Sequence, residues 1–271
     1  MKFGLNQKTI TDAIQTKWAG KTVHFVKETV STNLLAKELY REAEKKEELH
    51  GRLVVTEYQT AGRGRFGRTW VAPEGSCVIM TLILKPDFAP QYASMLTLVM
   101  GLSVVQAVRK AGLDAGIKWP NDVVVSGKKL CGILTEMLLE GTKIGEVAIG
   151  VGINVNLQEI PEEVKETATS MYLETGREFD RNQLIASVLA AFEENYEMFV
   201  QTCDLAYLKE EYHRYLLNRG KAVRVLDSQQ SFTGMALGIN EQGELLVERE
   251  DKTVETVRSG EVSVRGLYSY I

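Results

Sequence analysis

A change of pattern at Gly220 constrains the fold of this 271-residue chain more than any other feature. After it come five short segments of alternating hydrophobicity, with turns at 240–243 and 259–260 and no helical periodicity. Short strands at such spacing are typical of small antiparallel barrels. A unit of about 50 residues buries only a limited core by itself. We therefore predict a main domain over residues 1–218 and a small β barrel over 219–271 that docks on it.

The main domain alternates helical stripes with apolar runs. Helices are predicted at 32–48, after a cap at Ser31 or Thr32, at 92–111, and from Asp180 onward, with a weaker stripe over 6–18. Residues 53–55 and 78–84 indicate buried strands, and 117–157 indicate successive short strands with turns at Ser126, Gly127 and Gly141. The pattern predicts an α+β fold in which helices flank a mixed sheet.

Composition and cysteine usage exclude several classes of protein. The formal net charge is -4, which disfavours general nucleic-acid binding. We find no run of about 18 apolar residues and no secretory signal, so we expect a cytoplasmic protein without a membrane span. The three cysteines lie far apart, which argues against a disulfide framework. The three histidines show no zinc-ligand spacing.

Residues 62–70, GRGRFGRTW, place three arginines and three glycines within seven residues. Arginine donates in a fork that matches phosphate and carboxylate oxygens, and glycine lets the backbone approach a ligand closely. The glycines have no evident packing purpose in such a loop. No Gly-Lys-Ser/Thr follows them and no helix begins at their end, which excludes a P-loop and a dinucleotide fingerprint. The loop predicts a site for an anionic small molecule, with a solvated basic turn as the alternative.

Three further clusters combine polar residues with glycines or apolar strands. Residues 118–122, KWPND, bring together a lysine, an amide and a carboxylate, and Asn121 can offer a carbonyl oxygen to magnesium. Gly132, inside a strand, predicts close approach of a ligand or another backbone. Residues 149–156 hold two glycines and two asparagines, and Asn154 can read an adenine edge. Ordinary turns and hairpins would account for each cluster taken alone.

Together these motifs resemble those of the biotin–protein ligase family. The segments STN at 31–33, GRGRFGR, KWPND, KKLCGILTE and GVGIN follow the family's order at roughly its spacing, and the resemblance extends to 259–262. It implies an α+β catalytic domain with an SH3-like C-terminal barrel. It also implies two half-reactions: biotin and ATP, with magnesium, give biotinyl-5′-AMP and pyrophosphate, and a lysine of a biotin carboxyl carrier protein then takes the biotin.

The resemblance further implies roles for individual residues. Catalysis is expected from Arg65, Lys129 and Asp122, with Asp122 near the incoming lysine. The expected biotin-binding residues are Ser31, Thr32, Asn33, Gln59, Arg63, Gly64, Arg65, Lys129, Gly132 and Leu134. The expected ATP-binding residues are Arg65, Arg68, Trp70, Lys118, Asn121, Lys129 and Asn154, with Asn121 also a magnesium ligand.

Several alternatives remain open from the sequence. Some family members carry an N-terminal DNA-binding domain; only 30 residues precede Ser31, so we expect a ligase without DNA binding. A lipoate–protein ligase shares the fold and the adenylate chemistry. A non-catalytic nucleic-acid-binding module would use the arginine loop differently, although no aromatic residues are interleaved for base stacking. A homodimer paired through 147–155 would follow if those residues lay at a sheet edge.

Overall fold

The centre of the protein is a seven-stranded mixed sheet, seen in a computed structural model that describes residues 4–226, 231–259, 263–266 and 270–271. Its strands are β1 (Val23–Thr29), β2 (Leu53–Gln59), β3 (Cys77–Leu84), β4 (Ala115–Lys118), β5 (Asp122–Val125), β6 (Lys128–Glu140) and β7 (Lys143–Asn154). They are arranged in the order β1-β2-β3-β7-β6-β5-β4. The pair β1 and β2 is parallel and every other pair is antiparallel.

Connection lengths explain this mixture of directions. Antiparallel neighbours need only a tight turn, and β5 turns into β6 through Ser126 and Gly127, with φ of 49° and 76°. Likewise β6 turns into β7 at Gly141, where φ is 63°. The parallel strands β1 and β2 instead need a crossover, which is supplied by the helix Thr32–Glu42.

Helices cover both faces of the sheet. They are α1 (Gln7–Ala13), α2 (Thr32–Glu42), α3 (Leu96–Lys110), α4 (Met171–Thr175), α5 (Arg181–Thr202) and α6 (Lys209–Tyr215), with short 3-10 turns at Lys46–Leu49, Arg65–Gly67, Pro90–Met95 and Glu162–Val164. Helix α2 packs on Val54, Ile83 and Ala148, while α3 and α5 pack on the opposite face, where the main core lies. Side chains alternate along each strand, so one face serves α2 and the other serves the core.

Two helices show how the sequence specifies the main core. Asp180 begins α5 by accepting hydrogen bonds from the backbone N–H groups of Asn182 and Gln183. The helical stretch Pro90–Lys110 has the length and mean hydropathy, 1.4, of a membrane span. However, 78% of that hydrophobic window is buried inside the protein, which is typical of a core helix.

The C-terminal strands form a separate five-stranded antiparallel sheet. They are β8 (Ala222–Leu226), β9 (Phe232–Ile239), β10 (Leu245–Glu248), β11 (Val254–Val257) and β12 (Ser263–Gly266), in the order β11-β10-β9-β8-β12. The buried indole of Trp119 donates from Nε1 to the carbonyl of Gly243 at 3.0 Å, so a hydrogen bond joins the two sheets. The predicted α+β class is confirmed; the boundary between 218 and 219 stays a prediction.

The structure differs from the sequence predictions in several elements. The helix predicted at 32–48 ends at Glu42, and β1 and α6 were not predicted. The homodimer was predicted on the condition that residues 147–155 lie at a sheet edge. This condition is wrong, because β7 lies between β3 and β6 in the interior of the sheet. The predicted turn at Gly260 and the motif residues 260–262 lie outside the described residues.

A buried ion pair ties the start of α5 to β2 and yields a stability prediction. Arg181, 1% exposed, donates to both oxygens of Glu57 at 2.6 and 2.9 Å, and Glu57 also accepts from the N–H of Leu5. Replacing Glu57 by Ala leaves a buried guanidinium without its carboxylate. We expect Glu57→Ala to lower the free energy of unfolding by about 3–5 kcal/mol in urea titrations.

Lys165→Ala provides the control for this stability measurement. It removes an exposed ion pair with Glu162, whose side chain is 84% exposed, so we expect a loss under about 1 kcal/mol. A Glu57→Ala variant no less stable than Lys165→Ala would contradict a structural role for the buried pair.

Candidate active site

A patch of strand backbone without side chains forms the floor of a cleft on the α2 face of the sheet. Gly132 on β6 pairs directly with Gly152 on β7, and Gly150 on β7 pairs with Thr81 on β3. Because side chains alternate along a strand, Gly150 and Gly152 face the same side as Ala148, beneath α2. Three adjacent positions on neighbouring strands therefore present bare backbone to the cleft.

Neighbouring side chains rest directly on this floor. A Cβ added at Gly150 would lie 2.4 Å from Asn33 Oδ1, and one at Gly152 would lie 2.6 Å from Trp70 Cε2. A Cβ at Gly132 would lie 3.2 Å from the same indole. The nearest atoms to a Cβ at Gly132 are Cε and Nζ of Lys129 at 3.0 Å, so side chains approach this strand, and close approach of a ligand there stays a prediction.

Polar groups at the start of α2 form one wall of the cleft. Gln59 Oε1 accepts a hydrogen bond from the backbone N–H of Thr32 at 2.8 Å. The buried Thr81 hydroxyl lies 2.8 Å from Thr32 Oγ1 and donates to Asn33 Oδ1 at 2.7 Å. Ser31 occupies the N-cap position of α2, but within the described residues its side chain makes no capping bond. This wall offers hydroxyl and amide groups without a formal charge.

The arginine loop is a small hairpin that closes over the floor. Its backbone pairs through Gly64 N to Arg68 O at 2.7 Å and Trp70 N to Gly62 O at 2.9 Å. Phe66, at the tip, is 58% exposed and has φ of 57°. A Cβ at Gly62 would lie 2.3 Å from the carbonyl oxygen of Trp70. The prediction that these glycines have no packing purpose is therefore wrong at Gly62, which permits the hairpin to close.

Arg65 connects this hairpin to the KWPND segment and to the C-terminal sheet. Its Nη1 donates to Asn121 Oδ1 at 3.0 Å, and its Nη2 donates to the carbonyl of Ser259. Asn121 in turn donates from Nδ2 to the carbonyl of Ile133 at 3.1 Å. Both ends of the Asn121 amide are therefore engaged by protein groups.

This arrangement does not fit a magnesium ion held by the protein. Magnesium prefers oxygen ligands and near-octahedral geometry, usually with one or two carboxylates. Here the Asn121 oxygen faces the Arg65 guanidinium. Magnesium ligation by Asn121 stays a prediction without support from this geometry.

The half-buried carboxylate of Asp122 lies close to two lysines beside Arg65. Asp122 Oδ1 lies 2.6 Å from Lys129 Nζ, and its Oδ2 lies 4.0 Å from Lys118 Nζ. Burial alone would raise the pKa of Asp122, but the charge and hydrogen bond of Lys129 outweigh it and hold that pKa below its usual value. Burial, with the nearby cations Lys129, Arg265 and Arg68, lowers the pKa of Lys118 to about 8 despite Asp122.

Glu136 lies beside the cleft, although no role was predicted for it. Its Oε2 accepts from Asn33 Nδ2 and its Oε1 accepts from Lys37 Nζ, both at 2.8 Å, and Arg63 Nη1 lies 3.3 Å away. Burial would raise the pKa of Glu136, but these hydrogen bonds and charges hold it below its usual value. One carboxylate therefore links the arginine hairpin to α2. Its place at the end of KKLCGILTE, two residues from Leu134 on the same face, was the available clue.

The structure brings most of the predicted site residues to one cleft. All ten predicted biotin-binding residues line it, namely Ser31, Thr32, Asn33, Gln59, Arg63, Gly64, Arg65, Lys129, Gly132 and Leu134. Of the predicted ATP-binding residues, Arg65, Trp70, Asn121 and Lys129 line it as well. Lys118 and Asp122 lie directly behind Lys129.

Two predicted ATP-binding residues lie elsewhere in this arrangement. The Asn154 side chain is buried, with its Nδ2 donating to the carbonyl of Thr169 at 2.9 Å and its Oδ1 accepting from Cys77. That amide therefore points into the protein and contributes no group to the cleft as the structure describes it. The Arg68 side chain is exposed at the hairpin, and its positive charge contributes to lowering the pKa of Lys118.

The cleft itself is narrow. Its volume is about 60 Å³, whereas pockets for small molecules usually measure about 300–1,000 Å³. The Trp70 indole lies against the glycine floor and occupies the space between the hairpin and the sheet. In this arrangement the cleft is therefore smaller than most small-molecule sites, and Trp70 is the side chain that lies against its floor.

Comparisons with known proteins place this fold and cleft in one class. Residues 23–154 match the profile described as the biotin/lipoate A/B protein ligase family, and 220–265 match the biotin protein ligase C-terminal domain. A biotin protein ligase from Aquifex aeolicus in complex with biotin and ATP is 32% identical, with a TM-score of 0.77 over 91% of this chain and 99% of that one.

Two curated relatives narrow the class further. The biotin--[acetyl-CoA-carboxylase] ligase of Mycobacterium tuberculosis is 31% identical over 95% of both chains. The bifunctional ligase/repressor BirA of Bacillus subtilis is 42% identical over 74% of this chain, which spans 62% of that relative's length. The chain belongs to the biotin protein ligase family.

Contact between the indole and the floor gives a prediction for the site. Gly152→Ala puts a Cβ 2.6 Å from Trp70 Cε2, too close for van der Waals contact, so we expect the indole to shift away from the sheet. We expect the tryptophan emission of this variant to shift to longer wavelength, because the displaced ring meets water. In a Trp70→Phe background the same substitution should leave emission unchanged.

Gly101→Ala is the matched control for this measurement. Its added Cβ would meet Ile133 Cδ1 at 3.7 Å, an ordinary contact distance, so tryptophan emission should stay as in the unmodified protein. Unchanged emission in Gly152→Ala would show that Trp70 does not rest on the floor.

Proposed function

We propose that this protein activates biotin with ATP as biotinyl-5′-AMP and transfers it to a lysine of a biotin carboxyl carrier protein. One observation carries the proposal: Arg65 and Lys129 line the same cleft as the neutral polar groups at the start of α2 and the glycine backbone of β6 and β7. Such a cleft suits a ligand with an uncharged, hydrogen-bonding ring and an acidic tail. The names of the relatives and the biotin and ATP in the Aquifex structure support the same choice.

The first half-reaction brings two anions together. The biotin carboxylate attacks the α-phosphorus of ATP, an acyl–phosphate bond forms, and pyrophosphate leaves. Arg65 and Lys129 are suited to offset the repulsion between the reactants and to stabilise charge on the phosphoryl oxygens. Lys118, behind Lys129, is suited to the remaining phosphates. The neutral wall at Thr32 and Gln59 is suited to the ring of biotin, because its donors and acceptors would fix orientation without competing for the acid.

The second half-reaction needs an amine close to the adenylate. A lysine nitrogen attacks the biotinyl carbonyl carbon, an amide forms, and AMP leaves. Asp122 is suited to attract the incoming ammonium group, because its carboxylate lies beside Lys129 and its pKa is held low enough to keep it ionised. The hairpin, lying over the cleft, would keep water from the mixed anhydride during this step.

The acceptor protein and the location of the reaction are parts of the proposal that extend beyond the family assignment. The acceptor is a carboxylase carrier protein, as the name of the Mycobacterium relative suggests for that protein. We also propose a cytoplasmic location, because the described cysteines are free thiols and the reaction uses ATP. Because the residues around Asn121 do not fit a protein-held magnesium ion, we assign no step to that metal.

Lipoate is the alternative substrate, because the matching profile covers lipoate ligases as well. Biotin is favoured because the Aquifex structure contains it and because the Mycobacterium relative is named a biotin ligase. A direct test supplies purified protein with ATP, magnesium salt and either acid, and measures pyrophosphate release and the acyl-adenylate. Release with lipoate alone would identify a lipoate ligase, and release with neither acid would refute the proposal.

Lys129→Ala sharpens this test. We expect it to slow adenylation by about 10- to 100-fold, which corresponds to the free energy of one charge-assisted hydrogen bond. Transfer from preformed adenylate should slow less. The reason is that the Lys129 charge is needed when the two anions meet. Lys128→Ala removes the adjacent lysine as a matched control and should leave both rates near normal. Equal losses in both half-reactions of Lys129→Ala would contradict the role assigned to Lys129.

The lowered pKa of Lys118 predicts a pH dependence of nucleotide binding. Only the ammonium form attracts phosphate, and this form is lost as pH rises through about 8. Affinity for adenosine 5′-(α,β-methylene)triphosphate, measured by calorimetry, should therefore be highest below pH 8 and fall roughly tenfold above it. Lys118→Arg keeps its charge throughout this range, so its affinity should change little. The same pH dependence in both proteins would exclude Lys118 as its cause.

A further inference from the structure

The C-terminal end of the chain reaches the cation cluster of the cleft. Tyr270 donates from its hydroxyl to Asp122 Oδ2 at 2.6 Å. Its ring also covers Lys118, whose Nζ lies 3.7 Å from the ring centroid. Neither contact follows from a sequence motif, since 148 residues separate the tyrosine from the carboxylate.

Two groups hold opposite oxygens of the same carboxylate. Lys129 Nζ lies 2.6 Å from Asp122 Oδ1, while the Tyr270 hydroxyl holds Oδ2. A carboxylate held at both oxygens has a fixed orientation, and hydrogen bonds to its charged form keep it ionised. The two partners differ in chemistry: Lys129 is a cation that phosphoryl oxygens attract, and the phenol of Tyr270 is neutral.

This difference predicts which partner leaves. On the proposed function, formation of the adenylate draws Lys129 towards the new acyl phosphate, which frees Oδ1. The incoming lysine of the carrier protein presents the same group, a primary ammonium, and can take that place. Tyr270 remains on Oδ2 and keeps the carboxylate aimed while one ammonium replaces the other.

We propose that Tyr270 is a positioning residue for the transfer half-reaction: through Asp122 it orients the acceptor lysine at the adenylate. This inference rests on the proposed function. In the step it serves, the lysine nitrogen forms the amide bond to the biotinyl carbon, the bond from that carbon to the phosphate oxygen breaks, and AMP leaves with the electron pair. The two protons that the ammonium loses pass to solvent.

Tyr270→Phe isolates the hydroxyl, because the phenyl ring can still cover Lys118. We expect single-turnover transfer from preformed biotinyl-adenylate to a saturating carrier domain to slow by roughly tenfold more than pyrophosphate release slows. Hydroxylamine, a small nucleophile that needs no orientation by Asp122, should consume the bound adenylate equally fast in the variant and the unmodified protein. Tyr207→Phe, at a side chain that is 61% exposed, is the matched control and should leave every rate unchanged.

Other outcomes would overturn the inference in distinguishable ways. If Tyr270→Phe transfers biotin as fast as the unmodified protein, the hydroxyl does not position the acceptor. If it slows pyrophosphate release and transfer equally, or slows hydroxylamine as much as the carrier lysine, the tyrosine serves nucleotide binding or general structure instead. If the unmodified protein forms no biotinyl-adenylate, the proposed function fails, and this inference fails with it.

Discussion

Direct contact between side chains and strand backbone at Gly132, Gly150 and Gly152 is the constraint on which the cleft depends. Any Cβ at Gly150 or Gly152 would overlap Asn33 or the Trp70 indole. Because these positions are bare, the first turn of α2 can lie close to β7, and the hairpin can bring its indole down to the sheet. The polar wall takes its position from α2, and Arg63 and Arg65 take theirs from the hairpin, so this part of the site's geometry follows from the missing side chains.

Sequence periodicity predicts the helices and strands that carry a continuous apolar run or an apolar stripe of their own. The strands β3 and β7 are buried along most of their length, and α5 carries one apolar stripe, so each stands out as a pattern. By contrast β1 is largely half-buried or exposed, and the seven-residue α6 is mostly charged, so neither shows an apolar pattern of its own. Strand order depends on contacts between distant segments, which is why the interior position of β7 was not foreseen.

The same division applies to the site. The order of the motifs, through the family resemblance, predicted the residues that line the cleft, and glycines within apolar strands were a physical sign of close contacts at the backbone. It did not predict partners that arrive from other elements, such as Thr81 beneath Asn33 or Glu136 beside Arg63. It also could not predict the direction of the Asn154 side chain, whose amide donates to the carbonyl of Thr169. Nor did it predict that Gly62 is needed for the hairpin to close.

Charge balance links the two proposed half-reactions. The protein carries a net charge of -4, yet Arg63 and Lys129 line one cleft with Lys118 behind them, and two carboxylates, Glu136 and Asp122, pair with these cations. An anionic ligand competes with these carboxylates for the same cations. On the proposed function, formation of the adenylate draws Lys129 away from Asp122 Oδ1, so the place for an ammonium group is created by the first reaction. On the proposed function, the order of the two steps therefore follows from competition between carboxylate and phosphate for the same lysine.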